Sequence, residues 1–182
     1  MIDVIEDLAP KSLADKLEQV FSDDDCVWNL SPSCGGYGET YVSNGVKILD
    51  THQMYHTLVV DNLPKSAITA LALCVSFFLE QRTGIFPKHF SRVKANLLFP
   101  MFEDEIQCHP LHTDREEAES KSMIYYVNDS DGPTRFFDEH GNIIKTVYPK
   151  KGTAVLFPSN TIHASSCPIN SSKRIVINYV FF

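Results

Sequence analysis

The chain has 182 residues, 43% of them hydrophobic and 21% charged, with a formal net charge of −7. This is the composition of a globular protein able to bury a core unaided, and it excludes collagen-like, low-complexity and disordered classes. The acidic balance argues against nucleic acid or an anionic membrane surface as partner, and five scattered cysteines without C-x-x-C spacing read as reduced thiols.

The first residues, Met-Ile-Asp-Val-Ile-Glu-Asp, carry no basic or apolar signal, so a cytoplasmic protein is expected, in the host cytoplasm if phage-encoded. A first helix is expected over about 11 to 22, with Leu13, Leu17, Val20 and Phe21 on one face and Ser12 and Asp15 spaced as a capping box. The Asp23-Asp24-Asp25 run ends it; a calcium loop would need a Gly and a Glu that are missing. Cys34-Gly35-Gly36-Tyr37-Gly38 reads as a flexible loop, since it lacks the preceding strand and the Lys-Ser/Thr of a phosphate cradle. His52 and His56 stand four apart, but the Glu and third ligand of a zinc protease motif are absent. Asp61-Asn62 reads as a helix start, and a second helix is expected over about 64 to 82. Pro64 then sits in its first turn, Ile68, Leu71, Ala72, Val75, Phe78 and Leu79 form its stripe, and Gly84 follows its end. Its longest apolar stretch, Ala70 to Leu79, is half what a bilayer needs, so no membrane partner is expected.

The second half reads as strands. Ser91 to Phe99 alternates, with Val93, Ala95 and Leu97 on one side and Arg92, Lys94 and Asn96 on the other. Met123 to Asn128, Thr153 to Phe157 and Arg174 to Phe181 are rich in β-branched and aromatic residues and are separated by Gly/Pro/Asn/Asp turns. Short strands without intervening helices indicate an antiparallel sandwich or barrel, with the leading helices on one outer face. The fold class expected is α+β with a mainly β core. One domain is expected over 1–182, with 1–90 as helical support and outer strands and 91–182 as the core.

Among seven histidines, one group has metal-like logic. His112-Thr113-Asp114 sets two ligand types two residues apart, on one face if extended. His163 follows 49 positions after Asp114, at the end of the strand through Leu156-Phe157. Two His and one carboxylate leave open positions suited to non-haem Fe(II) and oxygen chemistry. Eleven residues later Arg174 opens an apolar strand. A buried Arg needs an anionic partner, which a dicarboxylic cosubstrate would supply. His109 is a candidate lining or supporting group, while Glu103-Asp104-Glu105 and Glu116-Glu117 read as solvated charge, or, since they flank the metal motif, as charge that favours a basic substrate.

Together these pieces resemble a known family. His112-Thr-Asp114, Ile124-Tyr-Tyr-Val-Asn128, Gly132-Pro-Thr134 with Phe136, Pro149-Lys-Lys-Gly152, Ala154-Val-Leu-Phe157, His163 and Arg174 follow one another over about 70 residues, from His112 to Phe182. That segment resembles the catalytic core of the Fe(II)- and 2-oxoglutarate-dependent dioxygenases, on the prolyl-4-hydroxylase-like branch. With Lys94-Ala-Asn-Leu97 and its Tyr-Tyr-Val-Asn-Asp strand end, it is most similar to uncharacterised phage and bacterial members. The resemblance implies a double-stranded β-helix (jelly-roll), Fe(II) held by His112, Asp114 and His163, 2-oxoglutarate as cosubstrate with Arg174 on its distal carboxylate, and O2 as oxidant. It also departs from the family: Asp131-Gly132-Pro133-Thr134 replaces the usual Gly-Gly-x-Thr, and Met123 stands where a hydroxylated helper of the Arg would fall. Tyr125, on the same strand face as Met123, is the expected substitute. The family's upstream Tyr falls near Phe102 or is replaced by Asn96, and Asn178 shares a strand face with Arg174, so Asn96 and Asn178 are candidate cosubstrate contacts.

The implied activity is hydroxylation of a C–H bond with release of succinate and CO2, or demethylation where the carbon sits on nitrogen. The substrate is a prolyl or other protein side chain by resemblance; a free amino acid or small metabolite is the alternative. The rival class is a catalytically silent jelly-roll module that binds or scaffolds. The set of His112, Asp114, His163 and Arg174 disfavours it. A cupin-type sandwich would need His-x-His followed by Glu, which is absent.

Overall fold

The computed structural model of the protein describes residues 1–35, 43–101 and 107–182. In chain order its elements are β1 (Asp3–Ile5), α1 (Lys11–Ser22), β2 (Asn29–Ser31), β3 (Lys47–Ile48), β4 (Gln53–Val60), β5 (Leu63–Pro64), α2 (Thr69–Thr83), β6 (Phe90–Leu98), β7 (Gln107–Cys108), β8 (Lys121–Tyr126), β9 (Thr134–Phe137), β10 (Ile143–Val147), β11 (Ala154–Pro158), β12 (His163–Ser165) and β13 (Arg174–Phe181). An eight-stranded antiparallel sheet runs β1-β11-β8-β13-β6-β4-β2, with β5 paired to β4. A three-stranded sheet, β10-β9-β12, opposes it, and β3 and β7 form a short parallel pair.

The period-2 pattern of the strands assigns the two faces of the large sheet. Val93, Ala95 and Leu97 of β6, Met123 and Tyr125 of β8, and Ile175, Ile177 and Tyr179 of β13 pack with Leu17 and Phe21 of α1 and Ala72, Val75 and Leu79 of α2. Full burial of each such aliphatic or aromatic side chain is worth roughly 1.5–3 kcal/mol, so this helix-covered face holds most of the core. The opposite face contributes Ile124, Tyr126, Val155, Phe157 and Val176 to a second core, which Phe136 and Val147 of the small sheet close. This is the jelly-roll with helices on one face that the sequence predicts.

Local details differ from expectation for identifiable reasons. No capping box starts α1: Pro10 precedes it without a side-chain cap, and Asp15 instead pairs with Lys11 and Lys151. The helix expected from 64 begins at Thr69. Asp61 and Asn62, at φ 47° and 60°, make a tight hairpin turn rather than a helix start. Leu63–Pro64 is an edge strand against Val59 and Val60, where proline's missing N–H is tolerated. At the other end Gly84, at φ 72°, caps α2 and donates its N–H to Glu80 O, as its position predicts. His163 does not end the strand through Leu156-Phe157. That strand, β11, stops at Pro158, a turn closed by Thr161 N–H to Pro158 O follows, and His163 opens β12 in the other sheet. The expectations placed on Gly36, Tyr37 and Gly38, on Phe102, and on Glu103, Asp104 and Glu105 lie outside the described residues. Among the described residues, no helix is long and apolar enough to cross a membrane.

Candidate metal centre

The segment after β7 brings His112 against β12. His112 and His163 face each other in an antiparallel bridge: each donates its N–H to the other's carbonyl, at 3.0 and 2.9 Å. Their rings lie 4.5 Å apart between centroids. Two residues on, the N–H groups of Asp114 and Arg115 both donate to Ser159 O, which turns the Asp114 side chain back toward the histidines. The potential ligand atoms of His112, Asp114 and His163 all lie within 4.8 Å of one another.

The surroundings fix the chemical state of each ligand. His112 Nδ1 is 3.1 Å from Pro110 O and His163 Nδ1 is 2.9 Å from Thr161 O. A carbonyl only accepts, so each Nδ1 carries a proton, which leaves Nε2 as the ligating nitrogen of each ring. Burial, and then the neighbouring His163, push the His112 pKa down to about 4, which keeps the imidazole neutral. Asp114 accepts from Arg92 Nη2 at Oδ1 and from Ser122 Oγ at Oδ2, both at 2.7 Å. Burial opposes its ionisation, but the facing His163, Arg92 and His112 and the Ser122 hydroxyl overcome that and hold the carboxyl below its ordinary value. Two imidazoles oriented through Nδ1 and one oriented carboxylate on one side of a point are a donor set that fits Fe(II) with open coordination positions.

Across a small cavity from His112 and His163 lies Arg174, only 2% exposed. Its Nε donates to Gly132 O and its Nη2 to Thr134 Oγ1, each at 2.8 Å, and its guanidinium sits 6.0 Å from the Tyr126 ring. Tyr126 OH donates to the same Thr134 oxygen. No carboxylate among the described residues pairs with Arg174. Desolvation lowers its pKa without discharging it. The cavity walls include Asn96 and Asn178, whose Oδ1 atoms are buried and unpartnered.

The loop leading to Arg174 is fastened at Asp131. Its carboxylate accepts from the backbone N–H groups of Ile169, Asn170 and Ser171. Next to it Gly132 approaches this loop so closely that a Cβ would fall 2.6 Å from Ser166 O and 2.8 Å from Pro168 N. The departure from the family's Gly-Gly therefore keeps the one glycine that the close approach requires.

His112 and His163 of the triad, Arg174, Asn96 and Asn178 thus line one cavity, and Asp114 lines the adjoining cleft together with His112, Asn96 and Asn178. Tyr125 lines neither. Register sets Tyr125 opposite Ile177 and Tyr126 opposite Val176, so Tyr126 shares the face of Arg174 while Tyr125 points into the helix-covered core, its hydroxyl unpartnered. Tyr126 and Thr134 take the supporting position expected of Tyr125. Their signal was the face assignment of β8, which needs the partner strand to be known. Arg92 and Ser122 were also missed; the polar side of β6 was the visible hint for Arg92. His56 bonds Val27 O and Ser66 Oγ, a structural use. His109 is buried between Thr51 Oγ1 and Ser165 Oγ, behind the cavity, and burial pushes its pKa down to about 3. Glu116 and Glu117 are exposed and bond Thr113 and Arg115.

Comparison with known proteins bears on this geometry. A family model described as the 2OG-Fe(II) oxygenase superfamily matches residues 89–182, just over half of the chain. No curated protein matches in sequence. Among solved structures, a Pseudomonas putida prolyl-4-hydroxylase superposes with a TM-score of 0.59 at 16% identity, covering 99% of this chain and 91% of that one. A Burkholderia pseudomallei oxidoreductase of the 2OG-Fe(II) oxygenase family gives 0.67 at 13%, covering 99% and 84%. The viral collagen prolyl hydroxylase of Paramecium bursaria Chlorella virus-1, solved with 2OG, gives 0.56 at 15%, covering 98% and 94%. At such identities the likeness establishes a shared double-stranded β-helix fold.

Proposed function

The chain belongs to the 2OG-Fe(II) oxygenase superfamily, and on that premise we propose that it hydroxylates a C–H bond, with Arg174 as the anchor of 2-oxoglutarate. His112, Asp114 and His163 would hold the iron through two Nε2 atoms and a carboxylate oxygen. Fe(II) and 2-oxoglutarate, when bound, would supply the oxidation by O2 that converts a substrate C–H into C–OH, with succinate and CO2 as the products of the cosubstrate.

The single observation that carries this reading is a buried guanidinium without an anion, facing the two histidines of the metal triad across one cavity. An uncompensated buried cation is costly, and a dicarboxylate with one end toward the metal and the other on Arg174 removes the cost. Asn96 and Asn178 offer amides along that path. Arg92 and Ser122 keep Asp114 aimed, and the Nδ1 bonds keep both imidazoles in the ligating tautomer. A silent module has no use for this combination.

Several fold neighbours are prolyl hydroxylases, one solved with a hypoxia inducible factor peptide fragment, which supports a prolyl or other protein side chain as substrate. A polar cleft that opens onto His112 and Asp114, with the ammonium of Lys94 on its wall, favours a small carboxylic acid instead. Purified protein incubated in air with Fe(II) and 2-oxoglutarate is expected to form succinate, at a rate that depends on both and is lost in Asp114→Ala. Succinate formation unchanged in that variant would overturn the reading.

A further inference from the structure

Strand β6 turns three polar side chains toward the site at alternate positions: Arg92, Lys94 and Asn96. Two have visible tasks there. Arg92 binds Asp114, and Asn96 borders the cosubstrate cavity. Lys94 lies between them, cross-strand from Asn178, on the wall of a polar cleft that opens onto His112 and Asp114. Its ammonium sits 5.1 Å over the Tyr55 ring, and no carboxylate among the described residues pairs with it.

Burial of an ammonium without a counter-ion is unfavourable. Desolvation, helped by the charge of Arg92 and opposed by that of Asp114, pushes the Lys94 pKa down to about 8, so the group is still mostly charged at neutral pH. The charges of the described lining agree. Arg92, Lys94 and Arg174 stand against the single carboxylate of Asp114. Bound Fe(II) and 2-oxoglutarate carry opposite double charges and cancel, so the loaded site keeps an excess of positive charge. Around Lys94, Ser33 Oγ and the Oδ1 atoms of Asn96 and Asn178 are buried without partners. The cleft therefore offers one unpaired cation, an unused donor at Arg92 Nε and several unused acceptors, and it has little apolar wall.

We propose that Lys94 is a substrate-binding residue, and that the substrate is a small carboxylic acid carrying an N–H or O–H donor, as a free amino acid does. The carboxylate takes Lys94, the donor meets the free oxygens of Asn96, Asn178 or Ser33, and the remaining carbons lie toward His112 and Asp114. This rests on the oxygenase reading and assigns separate anions to the two cations: cosubstrate to Arg174, substrate to Lys94.

The test uses the anaerobic Fe(II)–2-oxoglutarate holoenzyme, read by its visible charge-transfer band. The probes are the free L-amino acids and, in parallel, their C-terminal amides. At least one free acid is expected to shift the band, with its amide binding at least thirtyfold more weakly. Lys94→Gln should bring the acid down to the level of the amide while 2-oxoglutarate affinity stays within twofold, and Lys94→Arg should restore most of the difference. Equal response to acids and amides, no response to any acid, or a matching loss of 2-oxoglutarate affinity in Lys94→Gln would overturn the proposal. Failure of the wild-type band to form would instead sink the oxygenase reading, and this inference with it.

Discussion

The large sheet has two faces made by the same strands, and they obey different rules. On the helix-covered face, Ile175, Ile177 and Tyr179 alternate with residues of the other face and meet Val93, Ala95 and Met123 in a dry core, where the Tyr179 hydroxyl donates to Ala72 O. On the opposite face, the same strands present Arg174, Asn178, Asn96 and Ile124 to a cavity where a cation lacks an anion and two amide oxygens lack donors. The helix-covered face leaves the isolated Tyr125 hydroxyl unmet, whereas on the opposite face a cation and two amide oxygens are unmet around one cavity. Unmet polar groups on a well-packed scaffold mark the side reserved for ligands, because the missing partners arrive with them.

Substitutions that act on one face and spare the other would test this division. The largest effect is expected from His163→Ala, which should reduce iron stoichiometry from about one to near zero while the far-ultraviolet spectrum stays native. Next, Arg174→Ala should weaken 2-oxoglutarate binding about a hundredfold, or about 3 kcal/mol. Ile177→Ala, three residues along the same strand, should cost about 2–5 kcal/mol of stability by leaving a cavity, with cosubstrate affinity almost unchanged. Titration calorimetry and denaturant melts on the pair measure both quantities, and a swap of the two phenotypes would dissolve the distinction.

A smaller effect belongs to the loop before Arg174. Burial works against Asp131, but the backbone N–H groups of Asn170 and Ser171 hold its carboxyl well below the usual range. A depressed folded-state pKa contributes stability that is full above the unfolded value of about 3.9 and is lost progressively as pH falls from there through the lower folded-state value. Asp131→Asn should therefore lower the melting temperature by about 2–4 °C at pH 7, and the gap to wild type should narrow progressively as pH falls below about 4. The smallest effect is expected from Tyr125→Phe. Its hydroxyl lies in the dry face without a partner, so 2-oxoglutarate affinity should not change and stability should hold or rise slightly. A clear loss of cosubstrate affinity would return Tyr125 to the site.

How much of this was legible follows from which features are local. The His112-x-Asp114 spacing, the later His163 and an Arg opening an apolar strand are carried by short segments, and β13 was bounded correctly because its run of β-branched and aromatic residues has no competitor. The choice between Tyr125 and Tyr126 was not local. The two differ only in which face of β8 they occupy, and that is fixed by pairing with Val176 and Ile177 some fifty residues away. The Asp61-Asn62 pair was ambiguous for a similar reason: the same residues suit a helix start or a hairpin turn, and the pairing of Leu63 and Pro64 with β4 decided it. The polar side of β6 was visible, but the partner of Arg92 and the lack of one for Lys94 exist only once the strands are assembled.

The central claim is that the triad and Arg174 frame one cavity for iron and its keto-acid partner. Anaerobic addition of 2-oxoglutarate to the Fe(II)-loaded protein tests it most directly. The account predicts a visible metal-to-ligand charge-transfer band that saturates near one equivalent, is absent in His163→Ala and needs about a hundredfold more cosubstrate in Arg174→Ala. No band in the wild type, or an Arg174→Ala titration identical to it, would contradict the account.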